Sequence, residues 1–158
     1  MRVGITGHRG LPPEVERQTR RALAEAVAAY DPAELVGVSC IADGPDAWFA
    51  QAVLDYGGRI EAVVPAEQYR SDLPDWHHPT YDALLRRASA VHRTGLDGSD
   101  SNAHMAGSEL LVDQVDTLLA VWDGQPARGY GGTADVVAYA EGKGVPVRVL
   151  WPEGATRG

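Results

Sequence analysis

Three short stretches of the sequence set chemically useful side chains between glycines. Thr6-Gly7-His8-Arg9-Gly10 offers a hydroxyl, backbone N–H groups, an imidazole and a guanidinium, which together suit an anion at a helix entrance. Asp43-Gly44-Pro45-Asp46 brings two carboxylates to a turn, where they serve either a ligand or the cap of the next helix. Asp123-Gly124 ends an apolar run, and Gly129-Tyr130-Gly131-Gly132-Thr133 then leads straight into a helical pattern. Glycine lets a backbone approach a phosphate closely, a helix N-terminus supplies N–H donors and positive dipole, and Thr133 can donate or cap. Gly131, Gly132 and Thr133 are therefore expected to cradle a phosphate.

These stretches need a scaffold that brings them to one edge. Arg2 to Thr6, Glu34 to Ser39 and Arg59 to Pro65 are apolar runs of strand length. Between them lie amphipathic patterns: Pro12 to Tyr30, with Val15, Ala22, Leu23, Ala26, Val27 and Tyr30 on one face, and Pro45 to Gly58, with Trp48, Phe49, Ala52, Val53 and Tyr56 on one face. Those aromatic residues read as core, and Arg17, Arg20 and Arg21 as a solvated helix face. Residues 66–79 are polar and proline-punctuated. They precede a helix over Thr80 to Ser89, a short strand near Ala90 to Arg93 and a loop over Thr94 to Asn102. A helix over Ala103 to Val115, a strand over Thr117 to Gly124, a helix over Thr133 to Gly144 and a strand over Val145 to Trp151 complete the pattern. Six strands alternating with helices predict a single-domain α/β, Rossmann-like parallel sheet with helices on both faces. In such a sheet ligands bind beyond the carboxyl ends of the strands, where all three glycine stretches fall.

Composition narrows the partners. The 158 residues suit one buried core, and 14 basic against 22 acidic residues give a net charge of −8. With no basic stripe, that sign argues against a nucleic-acid partner. The lone Cys40 forms no internal disulfide, and neither a leader nor a stretch of membrane-spanning length is visible, so no membrane partner and a cytoplasmic location are expected. His77 and His78 lack a third ligand at suitable spacing, so neither a metal nor a cofactor is expected. Tyr69 and Trp76 lie in a loop from which either can stack on a base.

Gly-Ile-Thr-Gly-His-Arg-Gly (4–10), the segment 37–53 and above all the segment 116–140 resemble the SLOG superfamily of Rossmann-like nucleotide-binding domains. That superfamily includes the LOG phosphoribohydrolases and is related in fold to DprA. The resemblance covers residues 1–152, leaving 153–158 as a tail, and is weakest over 66–102. It implies a nucleotide or nucleotide-derived small molecule across the strand ends, with its phosphate on Gly131, Gly132 and Thr133. Gly7, His8, Arg9, Ser39, Asp46 and Asp123 would line the rest of the pocket, and the chain would form a homodimer. The LOG signature Pro-Gly-Gly-x-Gly-Thr-x-x-Glu departs here: Val136 holds the glutamate position and Asp135 lies one residue earlier. A helix turns about 100° per residue, so Asp135 projects in another direction.

Three readings follow. A sensor or regulatory module would bind the nucleotide unchanged. An N-glycoside hydrolase would release base and ribose 5-phosphate from a nucleoside 5'-monophosphate. Asp135, Asp123 or Glu109 would then supply a carboxylate, and His8 or His104 would assist the leaving base, with Asp135 and His8 as the catalytic candidates. An interaction protein would keep only a degenerate pocket.

Overall fold

In the computed structural model, which describes residues 1–157, the apolar runs form one sheet of six parallel strands in the order β4-β3-β2-β1-β5-β6. The strands are β1 (Arg2–Gly7), β2 (Val36–Ser39), β3 (Arg59–Val64), β4 (Ala90–Arg93), β5 (Thr117–Val121) and β6 (Val147–Val149). Gly158, the last residue of the predicted tail, lies outside the described residues. The central strands are buried on both faces: Val3, Val38, Ile60, Leu118 and Leu119 are fully enclosed. This is why they read as continuous apolar runs rather than as alternating ones.

Six helices connect the strands: α1 (Pro13–Val27), α2 (Pro45–Tyr56), the single turn α3 (Tyr69–Asp72), α4 (His78–Arg87), α5 (Ser101–Val112) and α6 (Thr133–Gly142). α1 packs on α2 and α2 on α4, whereas α5 packs on α6, so the helices form two layers. Right-handed crossovers account for this division, because the chain moves outward from β1 to β4 and then returns to β5 on the other side of β1. Proline holds the first helical position in both α1 and α2, where its missing N–H is not needed. Val15, Thr19, Leu23, Ala26 and Val27 form the buried stripe of α1. The polar segment 66–79 is more ordered than its composition suggests, folding into α3 and a tight 3-10 turn at Asp75–His77. His77 is buried there, with Nε2 2.9 Å from the Ile41 carbonyl oxygen.

The order of the strands reverses direction at β1, whose two neighbours, β2 and β5, lead to opposite edges. That switch point opens a crevice at the carboxyl ends of β1 and β5, the place where open α/β sheets bind ligands. No helix is long and apolar enough to cross a membrane among the described residues.

Candidate functional site

A cleft of about 130 Å³ lies at that edge. It is lined by Thr6 and Gly7 at the end of β1 and Arg9 after it, and by Cys40, Ala42 and Asp46 between β2 and the start of α2. Pro65 and Tyr69, His104 and Ser108 on α5, and Gly131 and Thr133 complete it.

The glycine loop has a defined shape. Gly131 has φ of +85°, and a Cβ there would stand 3.0 Å from the Ser101 carbonyl oxygen, so both conformation and space call for glycine. Its N–H donates to Asp135 Oδ2 at 2.9 Å, and the Gly132 N–H donates to the Gly129 carbonyl at 3.2 Å. Gly132 caps α6, and Thr133 follows as the first helical residue, 6% exposed. Its hydroxyl has no hydrogen-bond partner among the described residues. The first N–H groups of a helix likewise lack intrahelical acceptors, so donors gather around Thr133. Gly7, opposite, admits close packing: a Cβ there would lie 2.8 Å from Pro45 Cβ and 2.9 Å from Val121 Cβ.

Asp46 gives the cleft its electrostatic character. Burial pushes its carboxyl up to about 7, and the nearby Asp43 charge adds to the shift, while the Ala42 N–H and Arg9 oppose it. Arg9 is spent largely on Asp43, donating from Nε at 3.0 Å and from Nη2 at 2.6 Å to the same oxygen. Burial also raises the Cys40 thiol and the Tyr69 phenol well above their ordinary values and lowers the His104 imidazole, so all three are neutral near pH 7.

Several predicted residues stand elsewhere. His8 is buried behind the cleft, edge-on to Trp151 at 5.7 Å between centroids. Its Nδ1 lies 3.2 Å from Arg157 Nη1, and its Nε2 lies 3.1 Å from Asp123 Oδ1 and 3.2 Å from the Asp123 backbone nitrogen. Burial and the Arg157 charge lower the His8 pKa, in keeping with a neutral ring. Asp123 completes this cluster through a 2.8 Å ion pair with Arg157 Nε. Ser39 is buried and braces its loop, donating to the Asp46 carbonyl and accepting from the Ile41 N–H, both at 2.9 Å. Asp135 is occupied by the Gly131 N–H, and no contact joins it to His8. The two catalytic candidates thus belong to different local networks. His77 and His78 also face backbone carbonyls, of Ile41 for the first and of Arg70 and Leu73 for the second.

Sequence reading missed Ser108 and Arg157 and did not assign Tyr69 to the cleft. His104 and Ser108 are four residues apart on one helical face, a spacing that could have paired them. Arg157 has no local signal, because its partners His8 and Asp123 are distant in sequence.

No known protein family matches the sequence, and no curated protein matches it. Solved structures do. DNA processing protein A of Helicobacter pylori, described by its single-stranded DNA binding mode, aligns over 99% of this chain and 68% of its own, at 16% identity and a TM-score of 0.70. The Streptococcus pneumoniae DprA aligns over 94% of this chain but only 49% of its own, at 17% identity and a TM-score of 0.67. The molybdenum cofactor binding protein of Rippkaea orientalis aligns over 96% of this chain and 77% of its own, at 18% identity and a TM-score of 0.63.

The chain shares the Rossmann-like fold of these proteins.

One expectation is overturned. Net charge argued against any nucleic-acid partner, yet a protein with a single-stranded DNA binding mode shares the fold along nearly this whole chain. A net charge sums the entire surface, whereas a single strand is held by a local groove and by stacking, so the sum does not exclude one.

Proposed function

We propose that this SLOG-type domain binds a phosphate-bearing nucleotide, or a small molecule derived from one, at the carboxyl edge of its sheet. The observation that carries the reading is the Thr133 hydroxyl, unpartnered among the described residues and on the cleft wall beside the N-terminus of α6 at the β1/β5 switch point. The volume of about 130 Å³ suits a phosphate and its ester oxygens, with the remainder of the ligand lying over the rim. The Asp135 carboxylate already holds the Gly131 N–H, which limits the negative charge the cradle accepts and favours a monoester over a polyphosphate. Retention of ligand without change makes the domain a sensor or regulatory module.

A second reading is favoured by Asp46 alone. A carboxyl pushed up to about 7 carries a proton through much of the neutral range and faces the cleft. In N-glycoside hydrolysis Asp46 would give that proton to the departing base as the C–N bond breaks. Water would add its oxygen to the anomeric carbon, and its released proton would restore Asp46. Asp46 here takes the role that sequence gave to His8.

Incubation with nucleoside monophosphates, ADP-ribose and a single-stranded oligonucleotide, followed by chromatography with mass detection, tests both. Retained monophosphate without released base is the expected result. Base release abolished by Asp46→Asn would establish the second reading. Retention of the oligonucleotide alone, or of nothing by folded protein, would refute both.

A further inference from the structure

A second and larger cavity opens beside the cleft, between the loops that follow β1 and β2, α1, α2 and the turn at Asp75–His77. Its volume is about 470 Å³, within the range of roughly 300 to 1,000 Å³ usual for small-molecule sites. Two indoles line it, Trp48 from α2 and Trp76 from the turn. Trp76 is 72% exposed, yet its neighbour His77 is anchored on the Ile41 carbonyl, which holds the turn in place at the rim. Trp48 carries the Arg20 guanidinium 4.9 Å from its ring centroid.

Polar groups in the groove point to a type of ligand. Asp43 lines it with a side chain only 9% exposed. Both Arg9 bonds fall on Oδ1, so Oδ2 has no hydrogen-bond partner among the described residues. Each carboxylate in the groove has an arginine partner, Arg9 for Asp43 and Arg20 for Glu16. The groove therefore holds no surplus cation to attract a phosphate. It offers aromatic faces for stacking and, on the largely buried Asp43, one acceptor for an N–H donor.

We propose that this groove is a second binding site, distinct from the sheet-edge cleft, which takes the neutral amino-heteroaromatic ring of a small nucleoside-like molecule. The ring stacks on Trp76, and its amino edge donates to Asp43 Oδ2. Arg9 and Asp43 form the wall between the two cavities, since the first lines the cleft and the second lines the groove. The proposal does not depend on phosphate binding in the cleft.

Adenosine, which has the ring and amino group but no phosphate, is the probe, titrated calorimetrically against wild type, Trp76→Ala and Asp43→Asn. Trp76 is exposed and Asn matches Asp in shape, so both variants should fold, as circular dichroism will check. Adenosine is expected to bind about tenfold more weakly to Trp76→Ala, in line with the worth of one stacked base. Asp43→Asn should weaken adenosine but leave purine riboside, which lacks the amino group, unchanged. Absence of adenosine binding to wild type, equal binding to Trp76→Ala, or binding of a ten-residue deoxyadenosine strand without binding of adenosine would each overturn the assignment.

Discussion

Glu61 and Asp46 are carboxylates of one fold with opposite fates. Glu61, on β3, receives Arg2 through two bonds of 2.7 and 3.0 Å and His92 at 2.8 Å, and the Arg2 bond above all draws its pKa down to about 2. Asp46, at the carboxyl edge, is pushed up to about 7 by burial that neither Arg9 nor the Ala42 N–H offsets. Glu61 ties the start of β1 across to β3 and β4, so its charge is satisfied by the fold itself. Asp46, Thr133 and the first N–H groups of α6 are left with capacity that folding does not use. Groups of that kind, gathered at one edge of a sheet, support the proposal of a binding site there.

Breaking the satisfied pair should have the largest effect. Glu61→Gln is expected to cost roughly 2 to 3 kcal/mol at pH 7, measured by urea unfolding. The folded pKa lies below the unfolded one, near 4.5, so this stability is present above that value and is lost as pH falls toward 2. The gap between wild type and variant should accordingly close near pH 2. Asp46→Asn should act in the opposite direction, raising stability at pH 8 by on the order of 2 kcal/mol. Its folded pKa is raised from 3.8 to about 7, so the wild type loses stability as pH climbs between those values, and the two proteins should unfold alike at pH 4 and below.

Smaller effects sharpen the picture of the proposed cradle. Gly131→Ala forces a side chain into positive φ and against the Ser101 carbonyl, and a loss of about 1 to 2 kcal/mol in thermal unfolding is expected. Asp135→Asn keeps an acceptor for the Gly131 N–H but removes a charge. Stability should change by less than about 0.5 kcal/mol, while AMP affinity, measured by calorimetry, should rise roughly two- to fivefold.

The sheet was legible because each strand is an apolar run and each helix repeats on its own period. Pro12-Pro13, Gly44-Pro45 and Gly132-Thr133 also mark three helix starts by local chemistry. The candidate cleft was legible only where a glycine stretch carries its own geometry. Gly7, Arg9, Asp46, Gly131 and Thr133 do line one cleft. His8 and Asp123 were harder to place, because what holds them is Arg157, met only when the chain folds back. Ser39 shows the same limit: a hydroxyl at a strand end serves a ligand or its own loop, and only the fold shows it bonded within the loop. The misleading signal was net charge, which carries no information about where charges lie.

The most direct test of the central claim is an amide NMR titration of the folded protein with AMP and, separately, with adenosine. Shifts at Gly131 to Ala134 and Gly7 that need the phosphate, appearing with AMP and absent with adenosine, are the predicted result. AMP that leaves those amides unmoved, or adenosine that moves them equally, would contradict a phosphate cradle at this edge.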